Sequence, residues 1–246
     1  MIWVWTIWAI GLTVSTFTCT WLVKRYRDTL GYPVLVAIYV AYIISSNILA
    51  SRISIFNILA PLIVSGGTVV FPFVAQIIDM INEIYGKKMA YNAIFLAFLS
   101  NVLVSMFIFM LSTVPPAPWI LELDEVWKYF MLQTPRVVVA SYTAFLVAEL
   151  LDATVFAEIK KRVYKREVGV KSIVKSVLLR SAGSDVINMI VDSLVFFPIA
   201  FAFTVPWEVV WNMVLYGTYA KILLSLLDTP WFMMFRFLTR NVRREF

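Results

Sequence analysis

Eight ionisable residues stand in stretches of sequence that are otherwise apolar: Asp79, Glu83, Glu149, Asp152, Asp185, Asp192, Arg180 and Lys221. At lipid depth each costs about 2.5–3.5 kcal/mol on the insertion scale, so the set costs roughly 20 kcal/mol before any pairing. A chain with no use for them would insert more easily without them. Six acids against two bases leave an excess of four negative charges if all ionise, which a dry bundle cannot hold. Proton uptake by the carboxylates, a bound cation, or a solute rich in positive or hydrogen-donating groups would each remove the excess. All three are the chemistry of solute transport.

The spacing of these residues groups them by face. Asp79 and Glu83 are four apart with Asn82 beside them, so both acids share one side of a helix. Arg180, Ser184 and Asn188 step by four along another helix, and Asp185, Asn188 and Asp192 follow the adjoining stripe. Glu149 and Asp152 are three apart, and Asn212, Tyr216, Tyr219 and Lys221 add polar groups near the C-terminal end. A purely structural use competes with the transport reading, because Arg180 with Asp185 or Asp192, and Lys221 with a carboxylate, can lock a bundle by pairing. Ala140, Ala144 and Ala148, next to Glu149, form a small-residue face suited to close helix packing or to docking a partner subunit.

The elements that must position these groups are transmembrane helices. Of the 246 residues 61% are hydrophobic, against about 45–50% in soluble domains, and the mean hydropathy is +0.85. A helix needs about 20 apolar residues to cross the bilayer. Seven apolar stretches meet that need, at approximately 2–23, 33–51, 57–82, 89–113, 136–158, 177–204 and 207–228. The expected fold class is all-α, a polytopic transmembrane bundle forming one domain over 1–246. The third stretch begins weakly, with Pro61, Gly66, Gly67 and Pro72. Residues 114–135 read as a polar, turn-rich loop, and Pro230 reads as the end of the last span. Trp3, Trp5, Trp8, Trp21, Trp119, Trp207 and Trp231 lie near span ends, where an aromatic belt would place them.

Basic residues set the expected orientation. With the N-terminus outside, sixteen lysines and arginines fall in cytoplasmic segments, and only Arg52, Lys128 and Arg136 fall outside. The first stretch lacks a charged n-region and a small-residue cleavage site, so it reads as a span and not as a signal peptide. The net charge of +6 is explained by these loops, and no basic stretch is interleaved with aromatics as nucleic-acid binding would require. With no histidine and only Cys19, no metal site, cofactor or Ser-His-Asp chemistry is expected. An Asp-Asp arrangement is what remains for an enzyme, and none is expected.

Phe71-Pro72-Phe73 followed by Asp79-Met80-Ile81-Asn82-Glu83-Ile84-Tyr85-Gly86-Lys87-Lys88 resembles the YhhQ-type queuosine precursor transporters of the vitamin-uptake-transporter-like group. Glu149-Leu150-Leu151-Asp152 with Phe156, and Arg180-Ser181 with Ser184-Asp185 and Asp192, resemble the same group. The resemblance implies uptake of a 7-deazaguanine such as preQ0 or preQ1. It also implies a six-helix core like that of energy-coupling-factor substrate-binding subunits, from which this chain departs by an additional first span. The partners so implied are the deazapurine solute and the lipid bilayer of the cell membrane. A homodimer or an energising ATPase module is left open, and a substrate-binding subunit of such an assembly is the alternative function.

Elementary chemistry agrees with that substrate class. A carboxylate accepts two parallel N–H donors of a guanine-like edge, and an aromatic surface stacking on the ring contributes about 1–3 kcal/mol. The expected site sets Asp79, Glu83 and Asn82 on one wall, facing Arg180, Asp185 and Asp192, with Ser184, Asn188, Asp152 and Lys221 as further polar groups. Phe71 and Phe73 are the expected stacking rings, with Tyr85, Phe156 and Phe196 also available. Tyr85 and Gly86 are alternatively assigned to shaping the cytoplasmic turn.

Overall fold

The computed structural model describes the backbone of residues 2–57, 61–163 and 170–239. Within these, the side chains at 2, 57, 61–62, 149–163 and 170–185 lie outside the described residues. Long apolar runs fold as helices because backbone groups in hydrocarbon must find partners inside their own segment. The chain is accordingly an all-α polytopic membrane bundle. Its helices are α1 (Ile2–Tyr26), α2 (Tyr32–Leu49), α3 (Gly66–Tyr85), α4 (Lys87–Ser112), α5 (Leu121–Met131), α6 (Gln133–Val163), α7 (Val170–Phe201) and α8 (Trp207–Leu238). Among the described residues five stretches are long and apolar enough to cross a membrane: Trp3–Leu49, Gly66–Tyr85, Lys87–Ser112, Pro118–Ala148 and Trp207–Leu238. Val186–Phe201 is a shorter apolar run within α7.

Side-chain contacts set the direction of each helix. Trp8 donates to the Val69 carbonyl, Thr16 donates to Gln76, and Tyr85 donates to the Arg27 carbonyl. Residue numbers rise together along this seam, so α1 runs parallel to α3. Against α2 they run oppositely: Ser46 bonds the Gly67 carbonyl, Tyr42 meets Phe73, and Tyr32 meets Tyr85. The stretch Trp3–Leu49 therefore holds two antiparallel spans, joined by the π-helical turn Arg27–Gly31. Helix α8 runs parallel to α3, as Lys221 with Phe71 and Arg236 with Glu83 require, and antiparallel to α7, as Lys221 with Asp192 and Gly217 with Phe197 require. The basic turn at 24–27, Lys87 and Lys88, and Arg236 consequently share one end of the bundle.

The start of α3 departs from the expected span at 57–82. Residues Ile53–Asn57 (β1) and Pro61–Ser65 (β2) pair as an antiparallel hairpin, Ile53 opposite Ser65 and Ile55 opposite Ile63. β-branched residues suit the extended form, and the hairpin satisfies its own backbone before the helix begins. Ser65 caps α3 by accepting from the Gly67 amide at 3.2 Å. A Cβ at Gly66 would sit 2.6 Å from the Leu49 carbonyl and one at Gly67 2.8 Å from that of Ser46, so both glycines let α3 approach α2.

Three further expectations are corrected. Residues Leu121–Met131 of the expected outer loop form helix α5. Pro230 does not end α8, which continues to Leu238. One missing amide is tolerated because the following turn is anchored by the fully buried Phe235 and by Trp231, whose indole donates to Thr13 at 2.9 Å. Trp8 is buried and not a belt residue; its indole donates to Val69 at 3.0 Å. Trp3, Trp21, Trp119 and Trp207 are exposed, as belt residues would be.

Candidate functional site

Lys221 lies near the middle of α8, about 21 Å along the helix from Trp207. Only 5% of its surface is exposed. The ammonium group donates to Asp192 and, at 3.3 Å, to the Ser193 hydroxyl. Three rings surround it, with Phe71, Phe196 and Phe197 each centred 5.5 Å away. A buried cation is tolerable only when paired, and the electron-rich ring faces add to its stabilisation. Gly217, one turn earlier, makes the arrangement possible: a Cβ there would collide with the Phe197 ring.

Helix α3 brings Phe71 to this cluster and carries a polar stripe away from it. Phe71, Ala75, Ile78, Asp79 and Asn82 fall within an arc of about 100°. Asp79 and Asn82 are exposed along it. Glu83, at the edge of the arc, meets Arg236 of α8 at 3.4 Å. The rest of the motif does structural work. Ile81 and Ile84 are fully buried, and the Tyr85 hydroxyl donates to the Arg27 carbonyl at 3.0 Å. Gly86 adopts a φ of 84°, which favours glycine, and turns the chain directly into α4.

The predicted residues are thus divided. Phe71, Asp192 and Lys221 come together with Phe196. Asn188 lies one turn from Asp192, and its side-chain oxygen is buried with no hydrogen-bond partner among the described residues. Phe73 turns the other way, packing edge-on against Trp8 and Tyr42 at 6.0 and 5.5 Å. The side chains of Asp152, Arg180, Ser184 and Asp185, and of Glu149 and Phe156, lie outside the described residues. Four contributors escaped sequence reasoning: Ser193, Phe197, Gly217 and Arg236. The Phe196-Phe197 doublet beside Asp192 and a glycine four residues before Lys221 were the available signals for two of them.

An open, mostly apolar groove of about 600 Å³ runs along α1, lined by Trp5, Thr6, Ala9, Ile10, Thr13 and Val14. It includes none of the predicted site residues. Among the described residues no cluster of three or more metal-ligating side chains is present.

A curated relative from Bacillus subtilis (strain 168), named "Probable queuosine precursor transporter", is 27% identical over 170 residues, covering 67% of this chain and 68% of its own length. No solved structure matches the chain. The family described as "Putative vitamin uptake transporter" matches residues 65–235, from the last residue of β2 to near the end of α8. With the apolar helices and this match together, the chain belongs to the vitamin uptake transporter family and is a multi-pass membrane transporter.

Proposed function

We propose that the protein takes up a 7-deazaguanine precursor of queuosine or archaeosine, such as preQ0 or preQ1. The observation that carries the reading is the pairing of Lys221 with Asp192 beneath the rings of Phe71, Phe196 and Phe197. It combines what a planar, hydrogen-donating solute needs: a carboxylate, an adjacent cation and aromatic faces. The exposed Asp79 and Asn82 extend the same face of α3. The name of the Bacillus subtilis relative supports the same substrate class.

Arg180, Ser184, Asp185, Asn188, Asp152 and Glu83 belong to the proposed site as further groups along α3, α6 and α7. The carboxylates offer a route for proton coupling, and transport involves no covalent step. The basic end of the bundle faces the cytoplasm in this reading, with the N-terminus outside and the C-terminus inside.

Uptake of labelled preQ0 or preQ1 into proteoliposomes containing only this chain is the direct test, with queuine and guanine as competitors. Saturable uptake is expected; absence of uptake that an ATPase module restores would make the chain a substrate-binding subunit. Asp79→Asn should lower uptake at least tenfold at near-normal membrane abundance. Retained uptake would move the site off α3.

A further inference from the structure

Helix α5 presents an apolar face that the rest of the described residues leave largely or partly exposed. Leu123, Val126, Trp127 and Phe130 recur at the spacing of one helical stripe. They are 65%, 52%, 39% and 38% exposed, respectively. Asp124, Glu125 and Lys128 occupy the opposite arc, with Asp124 and Lys128 paired at 2.7 Å. No residue of α5 is buried. At 11 residues the helix is about 16 Å long, too short to cross a bilayer.

Its place in the chain says what covers that face. Residues 113–120 join α5 to the span α4, and Leu132 alone separates it from α6. Both ends are therefore held at the boundary of the bilayer, on the end of the bundle opposite the basic turns. Trp119, 85% exposed, stands just before it, where an interfacial aromatic belongs. We propose that α5 lies in the membrane–water interface, its Leu123–Val126–Trp127–Phe130 stripe sunk among the lipids and its charged arc facing water. Glu122, Asp124, Glu125 and Lys128 leave the helix with an acidic balance. Anionic headgroups therefore do not attract it, and its partner is the apolar and zwitterionic part of the lipid layer.

Spin labels on single cysteines test this in the full chain reconstituted in phosphatidylcholine. The retained Cys19 is fully buried and serves as the background control. Labels at 123, 126, 127 and 130 should collide several-fold more often with oxygen than with a water-soluble nickel chelate, and labels at 125 and 128 should show the reverse. Adding anionic lipid should leave the pattern unchanged. Nickel access to the stripe would place it in water, and protection from both reagents would place it against a second copy or another part of the chain. Deepening with anionic lipid would make the attraction electrostatic. Each of these three results overturns the proposal, and all six labelled positions are on the surface or partly exposed, so folding is not at stake.

Discussion

Where α3 meets α1, α2 and α4, Ile77, Met80, Ile81 and Ile84 have no exposed surface, and Phe73 and Gln76 reach across to α1. On the side that meets α8, the same helix shows Phe71 beside a buried ammonium group and leaves Asp79 and Asn82 open. One side is close-packed; the other is polar and accessible. A rigid back wall lets a single helix hold costly polar groups at fixed positions, because the packed side compensates for what the open side loses. The comparison also separates two kinds of motif residue. Phe71, Asp79 and Asn82 belong to the open side, while Phe73, Ile84, Tyr85 and Gly86 build the wall and its turn.

The largest effect is expected at Asp192. Asp192→Asn leaves Lys221 buried without its counter-charge, which costs about 3–5 kcal/mol and should lower detergent stability and abolish uptake together. Adding Lys221→Met should restore stability, since an apolar side chain can replace a buried pair, without restoring uptake. A double variant that transports normally would reduce the pair to a structural lock.

A smaller and more diagnostic difference is expected between two phenylalanines. Phe73→Ala opens a hole in the back wall and should cost about 3 kcal/mol in unfolding measurements, with uptake falling only as folded protein is lost. Phe71→Ala removes one of three rings around the ammonium, a contribution of about 0.5–2 kcal/mol, and should weaken uptake more than stability. The opposite pattern would erase the distinction between the two sides of α3.

The smallest stability effect is expected at the edge between them. Glu83 and Arg236 are partly exposed and 3.4 Å apart, so their pairing contributes under about 1 kcal/mol. Glu83→Gln should barely move the thermal midpoint while reducing uptake, and unchanged uptake would assign Glu83 to the helix contact alone.

Much of the bundle was legible in the linear chain. Long apolar runs marked the helices, and charges too costly for lipid drew attention to α3, α7 and α8 before any contact was known. The paired strands Ile53–Asn57 and Pro61–Ser65 were less legible, because a short run of β-branched residues next to a helix reads as part of one hydrophobic stretch. Pro230 was misleading for a different reason: its lost hydrogen bond is local, whereas Trp231, Phe235 and Arg236 hold the helix through distant partners.

The sequence by itself determined that this is a many-helix membrane protein with charges at lipid depth, because the cost of placing each residue in hydrocarbon depends on its own chemistry. Only the tertiary structure decided that Lys221 meets Asp192, that Phe71 and not Phe73 stands beside that pair, and that Trp8 is buried. Those outcomes depend on which helices become neighbours, and pairing between residues 29 positions apart leaves no trace in local spacing.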